Sequence, residues 1–380
     1  MTATPPPLAA APLAVRVIPA PASAAVIRAW ASVFAASDTR SFCLSADWVG
    51  TWLDSFGADV GAEVVFFEAG GAPVGAAILG SRMVRRAFVP LRRLYFHTAG
   101  ERLGDGVGVE YVAPLCHPGH AEAMLTSLAA LLRSRSWDEL LLPGVSEATL
   151  ASMTRALPGL AVETEWRPTY QVDLARLRSR GAAYEAVLSR NTRDQLHRSL
   201  RLYRARGEVT LRLATSVPEA LALFDELGAL HRARWVPRGA TGGFSSPRWR
   251  AFHERLIARA WPSGTVQLAR VSAGDQAIGL LHNFVQDGVV AFYQSGLRFE
   301  DDNRLKPGLV THALMIQHCL ERGLAVYDFL ASEPAGSRYK ASLSTTTGRL
   351  AWTFLRRSNL RTATVAVLRR VKRALVGPHT

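Results

Sequence analysis

The pattern of apolar and polar positions is clearest between Thr265 and Arg357. Three runs rich in Val, Leu, Phe and Tyr (TVQLARV, AIGLLHNFV and GVVAFYQSGL) are separated by Gly274-Asp275 and Asp287-Gly288. Such dipeptides between β-type runs predict tight turns, and hence an antiparallel meander. Beyond Gly296 the period changes, and Leu309, Ala313, Ile316 and Leu320 follow helical spacing up to a stop at Gly323. A short buried strand, Leu324 to Leu330, is expected to return to the sheet.

The first half repeats this order with little residue identity. Helical patterns over Ala22–Phe34 and Ala46–Phe56 precede β-type runs at Glu63–Glu68 and Pro73–Gly80, joined by Gly70-Gly71. A further strand at Leu91–His97, a helix from His120 to Arg135 and a short strand at Leu140–Leu142 complete the first set. The loop Gly104-Asp105-Gly106-Val107-Gly108 reads as a flexible surface loop, with a phosphate cradle as the alternative. A long helix from Gly181 to Gly207 is expected to link the halves, with Arg190, Arg193, His197, Arg201 and Arg204 on one face and Leu188, Leu196, Leu200 and Tyr203 on another. That basic face is either solvated or an anion-attracting wall. The fold class predicted is α/β (α+β). Its divisions are a flexible tail over 1–20, an N-terminal lobe over 21–170, a C-terminal lobe over 171–357 that includes the linking helix at 180–207, and a basic amphipathic helix over 358–380.

Local chemistry concentrates where the fourth strand of the second lobe gives way to its helix. Pro307 suits a first helical turn because its missing N–H is no loss there. Gly308 lets a ligand approach the backbone, and Lys306 adds a mobile cation. Together with Leu309 these residues would receive a phosphate. Of the three lysines, Lys306, Lys340 and Lys372, two fall in this region.

These features resemble the CelD-like branch of the GNAT acyltransferase superfamily, related to the Fem peptidyltransferases. The residues that carry the resemblance are Tyr293 to Gly296, Lys306-Pro307-Gly308, Tyr327-Asp328-Phe329-Leu330, Tyr339-Lys340 and Leu230-His231-Arg232-Ala233-Arg234-Trp235. It implies tandem GNAT-like lobes, each a mixed, largely antiparallel sheet flanked by helices. It also implies an acyl-CoA-dependent N-acyltransferase, with acetyl-CoA or another acyl-CoA as co-substrate and an amino sugar of a bacterial surface polysaccharide or its precursor as acceptor. The cofactor would meet Gln294, Ser295 and Gly296, whose amides are candidate oxyanion donors, and Lys306 to Leu309. The acceptor would meet His231, Arg234, Trp235 and Tyr293, with Glu110 and Tyr111 contributed by the first lobe.

Lys340, Asp328 and Tyr339 are the catalytic candidates. Lys340 could steady the developing oxyanion, or could be a loop lysine paired with Glu333 or Asp328. Asp328 sits in an apolar strand, where an unpaired carboxylate is costly. It either handles the amine or is hydrogen-bonded into the structure. Alternatives for the whole chain are a Fem-type transferase that draws on aminoacyl-tRNA and a basic binding protein without catalysis.

Composition narrows this picture modestly. A formal charge of +14, carried almost wholly by arginine, admits anionic surfaces or polymers as partners. The C-terminal segment sets Leu360, Val367, Leu368, Val371 and Leu375 against Arg361, Arg369, Arg370, Lys372 and Arg373, so contact with an anionic membrane surface is a candidate role. Nucleic acid is not expected as a partner. Three scattered cysteines (Cys43, Cys116, Cys319) fit neither a disulfide framework nor a structural zinc site, and no metal is expected. No apolar run reaches the length of a membrane span. Pro5-Pro6-Pro7 without a basic leader region reads as a tail rather than a signal peptide. The expected location is cytoplasmic.

Overall fold

The computed structural model describes residues 12–98, 106–239, 243–332 and 337–376. The chain divides into two compact units. Unit 1 takes in the described residues of 1–166 and 351–380, and unit 2 those of 167–350.

Unit 1 begins with β1 (Ala14–Pro19), α1 (Ala24–Ala36) and α2 (Ala46–Phe56). It continues through β2 (Glu63–Ala69), β3 (Ala72–Arg86), β4 (Val89–Phe96), β5 (Leu115–Cys116), α3 (Ala121–Ser134), β6 (Glu139–Val145) and α4 (Glu147–Ala156). Strand β7 (Ala161–Asp173) leads on into unit 2. Unit 2 holds α5 (Leu174–Ser179), α6 (Arg190–Arg204), β8 (Val209–Leu213), α7 (Val217–Trp235), α8 (Pro247–Ala260), β9 (Val266–Ala273), β10 (Gln276–Gln286), β11 (Val289–Leu297), α9 (Pro307–Glu321), β12 (Val326–Ala331) and α10 (Ser337–Leu343). Strand β13 (Thr346–Arg356) leads back to unit 1, which ends in α11 (Leu360–Val376).

Each unit carries a mixed, mostly antiparallel sheet, and the two orders match. In unit 1 neighbours run β1-β2-β3-β4-β6-β13, with only β4 and β6 parallel. In unit 2 they run β8-β9-β10-β11-β12-β7, with only β11 and β12 parallel. The repeat expected from element order is therefore a repeat of sheet topology. Helix starts follow local capping chemistry. Ser23, Ser45, Ser146, Ser189, Ser216 and Ser246 each accept a first-turn amide, as short hydroxyl side chains do at N-caps.

Several expectations are corrected. Residues 14–19, read as part of a tail, form β1 and pair in register with β2, which covers an edge that would otherwise be open. The linking helix does not start at Gly181. A short 3-10 turn at Tyr184–Val187 comes first, and Ser189 caps the helix proper at Arg190. Of the loop read as flexible and exposed, Gly104 and Asp105 lie outside the described residues and Gly106 is exposed, but Val107 is buried, as are Val109 and Val112 just beyond it. Strands β7, β8 and β13 are additional to the elements expected.

The unit 1 core packs Trp30, Trp48, Trp52 and Phe56 of α1 and α2 with Phe66, Phe67 and Phe96 of the sheet. In unit 2, Tyr184, Leu196, Tyr203, Val271, Leu281, Val310, Ile316, Tyr327 and Phe329 form one buried cluster. His282 and His312 are fully buried. Burial holds both imidazoles neutral, with pKa values pushed down to about 3, and for His312 the charge of Lys340 adds to it.

Candidate functional site

The site begins with a sheet that opens. Strands β11 and β12 run parallel only from Val289/Val326 to Ala291/Asp328, yet β11 continues to Leu297. The last six residues of β11 thus have no β12 partner on that side. Below this opening lies a cavity of about 830 Å³, built wholly from unit 2. Its walls are Asn191, Thr192 and Gln195 at the start of α6, and His231, Arg234 and Trp235 at the end of α7. Ser295 and Leu297 of β11, the loop residues Phe299, Glu300, Asn303 and Leu305, the helix start Lys306–Leu309, and Tyr339, Ser342 and Leu343 of α10 complete it.

Helix α9 presents its N-terminus to this cavity. Lys306 is the N-cap residue and its side chain makes no capping bond, while Pro307 supplies no N–H. The amides of Gly308 and Leu309 fall in the first turn, where no intrahelical acceptor exists. They and the positive end of the helix dipole suit an anion. The position is fixed from behind. The Lys306 amide donates to Ser199 Oγ of α6 at 2.9 Å, and Leu305 and Val310 are buried on either side.

The Ser295 amide donates to the neighbouring Gln294 Oε1 at 3.0 Å, so it is a backbone donor satisfied by a movable side chain. Gly296 has a different role. A Cβ there would lie 2.4 Å from the Leu227 carbonyl oxygen and 2.9 Å from its Cα, so the glycine lets α7 close on β11. Tyr293 is the extra residue of a bulge against β10, and its ring meets His253, His282 and Phe284. Tyr293, Gln294 and Gly296 do not line the cavity as described.

At the end of α7, Arg234 stacks its guanidinium on Phe299, 3.9 Å from the ring centroid. His231 is buried beside Phe244 and Trp235. Burial and the adjacent charge of Arg232 lower its pKa below the ordinary histidine value, so the imidazole is neutral at pH 7. Trp235, Phe299 and Tyr339 are each partly exposed, which leaves aromatic faces open to solvent around the cavity.

The other two catalytic candidates are committed elsewhere. Asp328 is 2% exposed; its Oδ2 accepts from Gln171 Nε2 and its Oδ1 from the Leu330 amide, both at 2.7 Å. Those bonds hold a bulge in which Leu330 takes φ +59°, a conformation costly for a branched side chain. Lys340 Nζ donates to the Phe329 and Ala331 carbonyls of the same bulge, at 2.6 and 3.3 Å. Neither side chain lines the cavity. Glu333, the alternative partner for Lys340, lies outside the described residues. Glu110 and Tyr111 belong to unit 1 and form no part of this cavity.

Sequence reasoning missed Asn191, Thr192, Gln195, Phe299, Glu300 and Asn303. The Ser189 cap followed by Asn191-Thr192 was a legible helix start, but nothing local tied it to α9. The loop from Phe299 to Asn303 has no periodicity to read.

Residues 190–341 match the family model described as "Acetyltransferase (GNAT) domain". Among solved structures, the chain is similar to FemX at 12% identity, covering 90% of this chain and 98% of that one with a TM-score of 0.59. It is also similar to the C-terminal domain (DUF2156) of a putative lysylphosphatidylglycerol synthetase from Agrobacterium fabrum, at 11% identity with 91% and 96% coverage and a TM-score of 0.54. L-PGS from Bacillus licheniformis follows at 10%, 91%, 96% and 0.52. No curated protein matches the chain in sequence. At these identities the structural likeness speaks for fold alone, and it is the matched segment, containing the α9 start and most of the cavity wall, that identifies residues 190–341 as a GNAT-type acetyltransferase domain within a GNAT acyltransferase fold.

Proposed function

We propose that this chain transfers an acyl group, most simply acetyl, from acyl-CoA to the amine of a sugar belonging to a surface polysaccharide or its precursor. One observation carries the reading: the uncapped start of α9, with Lys306, Pro307 and Gly308, opens into the cavity beside the parted strands β11 and β12. A pyrophosphate would receive the amides of Gly308 and Leu309 and the Lys306 ammonium. The thioester arm would then run along the unpaired side of β11.

In that pose the attacking amine must be neutral and the carbonyl oxygen needs a donor. The Ser295 amide is our candidate donor once Gln294 Oε1 swings away, and the neutral imidazole of His231 our candidate for accepting the proton the amine sheds. The amine nitrogen bonds to the acyl carbon, the oxygen takes up the electron pair, and collapse expels the CoA thiolate, which then takes a proton. The open aromatic faces of Trp235, Phe299 and Tyr339 suit the apolar face of a sugar. Isothermal titration with acetyl-CoA tests the donor. Gly308→Trp, which places an indole at the mouth of the phosphate site, should lower affinity at least tenfold with little change in melting temperature. Unchanged affinity would sink the assignment.

A second reading rests on α6. Its first turn lines the cavity, and Arg190, Arg198, Arg201 and Arg204 are exposed along it. An aminoacyl-tRNA donor would meet such a face. Tight binding of charged tRNA in place of acetyl-CoA would favour this reading.

A further inference from the structure

Strands β3 and β4 of unit 1 form a hairpin arm whose end is exposed. They pair without interruption from Leu79/Phe96 to Arg86/Val89, and between Ser81 and Pro90 no residue is buried. The unburied part of β3, Ser81 to Arg86, is about 20 Å long at the usual rise per residue, whereas on β4 only Val89 and Pro90 precede the buried Leu91. Its turn is Ala87-Phe88, and both residues have positive φ, +46° and +70°. Two-residue turns of this kind favour Asn, Asp or Gly, since other side chains are strained there.

The matching turn of unit 2, between β10 and β11, shows what the backbone asks for. It is Asp287-Gly288 at φ +50° and +77°. Unit 1 places a phenylalanine at the glycine's position, and Phe88 is 95% exposed. The fold gains nothing from this ring. Strain and exposure both work against it, and such outliers collect where a chain meets a ligand or partner.

The surroundings specify the partner's chemistry. From Ser81 to Arg93 the arm carries five arginines (82, 85, 86, 92 and 93) and no acidic residue. Met83 and Pro90 add exposed apolar surface near the tip. Arg86, the last residue of β3 before the turn, reaches back to join Arg93 and Arg356 over the Phe354 ring, 4.8, 4.9 and 5.2 Å from its centroid, with Glu139 as shared carboxylate. Helix α11 packs along β4. Arg361 is 3.4 Å from Asp138, whose carboxylate also accepts the Arg92 amide, and Arg369 bonds Glu163 at 3.2 Å. On this helix Leu360, Val367 and Leu368 are exposed and Val365 is buried.

We propose that the tip of this arm is a membrane anchor, with Phe88 entering the interface of an anionic phospholipid surface while the exposed Arg82, Arg85 and Arg92 meet its headgroups. A nucleic-acid backbone would satisfy the arginines but leave the ring in water. A lipid interface takes both. The contact is independent of what occupies the unit 2 cavity. It also changes the role expected for the C-terminal helix, which is pinned to unit 1 by Val365 and two ion pairs, so that its removal would destabilise the unit as well as remove charge.

The test is sedimentation of the full-length protein with vesicles of phosphatidylglycerol and phosphatidylcholine, against phosphatidylcholine alone. Wild type should bind the anionic vesicles and be released by salt. Phe88→Gly should weaken binding at least tenfold, because the ring supplies most of the apolar burial at the tip. The same variant should melt at or above the wild-type temperature, because glycine relieves the turn. Phe88→Trp should keep the binding. Wild type that ignores anionic vesicles, Phe88→Gly that binds as wild type does, or a DNA duplex bound with the same dependence on Phe88 would each overturn the proposal.

Discussion

Replacing Gly296 by alanine is the sharpest test of how the cavity is held. The added Cβ would meet Leu227 at 2.4 Å (carbonyl oxygen), 2.9 Å (Cα) and 3.0 Å (carbonyl carbon), all backbone atoms with no rotamer to change. Restoring an ordinary contact of at least 3.4 Å requires α7 to back away from β11 by about 1 Å, since the closest approach is 2.4 Å. Overpacking of that kind costs about 1–3 kcal/mol. For a unit of this size it corresponds to a fall in melting temperature of about 2–4 °C per kcal/mol. Function should suffer more. His231, Arg234 and Trp235 ride on the same helix one to two turns further on, and a displacement near 1 Å can cost on the order of 100-fold in rate. The assays are urea denaturation, a thermal melt and titration with acetyl-CoA. Gly308→Ala is the control, because its Cβ would meet only the end of the Leu297 side chain at 3.2 Å, and it should lose less than about 0.5 kcal/mol. A Gly296→Ala variant with wild-type stability and affinity would refute the packing argument.

Lys340→Met should lower the urea midpoint, by about 1–3 kcal/mol, because the Phe329 and Ala331 carbonyls lose a charged donor. Its Michaelis constant for acyl-CoA should stay near wild type and its turnover should fall less than tenfold; a stable variant with turnover lost a hundredfold would return Lys340 to the reacting centre. Acid should destabilise both units through buried histidines. His97, His282 and His312 have folded pKa values near 3, against an ordinary 6.5, so the unfolded chain binds protons that the folded chain refuses. Stability is therefore complete above about pH 6.5 and is lost as pH falls toward 3, by up to about 1.4 kcal/mol per pH unit for each group. Urea midpoints that stay flat from pH 7 to pH 4 would show that these sites are not buried neutral.

What the chain made legible by itself was local. The meander β9-β10-β11 follows from alternating apolar positions and two turn dipeptides, and the start of α9 follows from Pro307 and Gly308, because turns and caps are decided within a few residues. The same reasoning located Ser295, Lys306 to Leu309, His231, Arg234, Trp235 and Tyr339, nine residues that share one cavity. Tertiary structure decided the rest. Strand β13 joins β6 across about two hundred residues of sequence, and β1 joins β2, because an edge accepts any strand whose backbone reaches it and the pattern along a strand does not name its partner. Asp328 and Lys340 looked catalytic because a charge among apolar residues has two explanations. Only the positions of Gln171, the Leu330 amide and two carbonyls show that both side chains hold a bulge. Gly296 reads as a ligand contact until Leu227 is seen above it. Phe88 is one more apolar letter in a strand-like run until the backbone around it turns left-handed and leaves the ring in solvent.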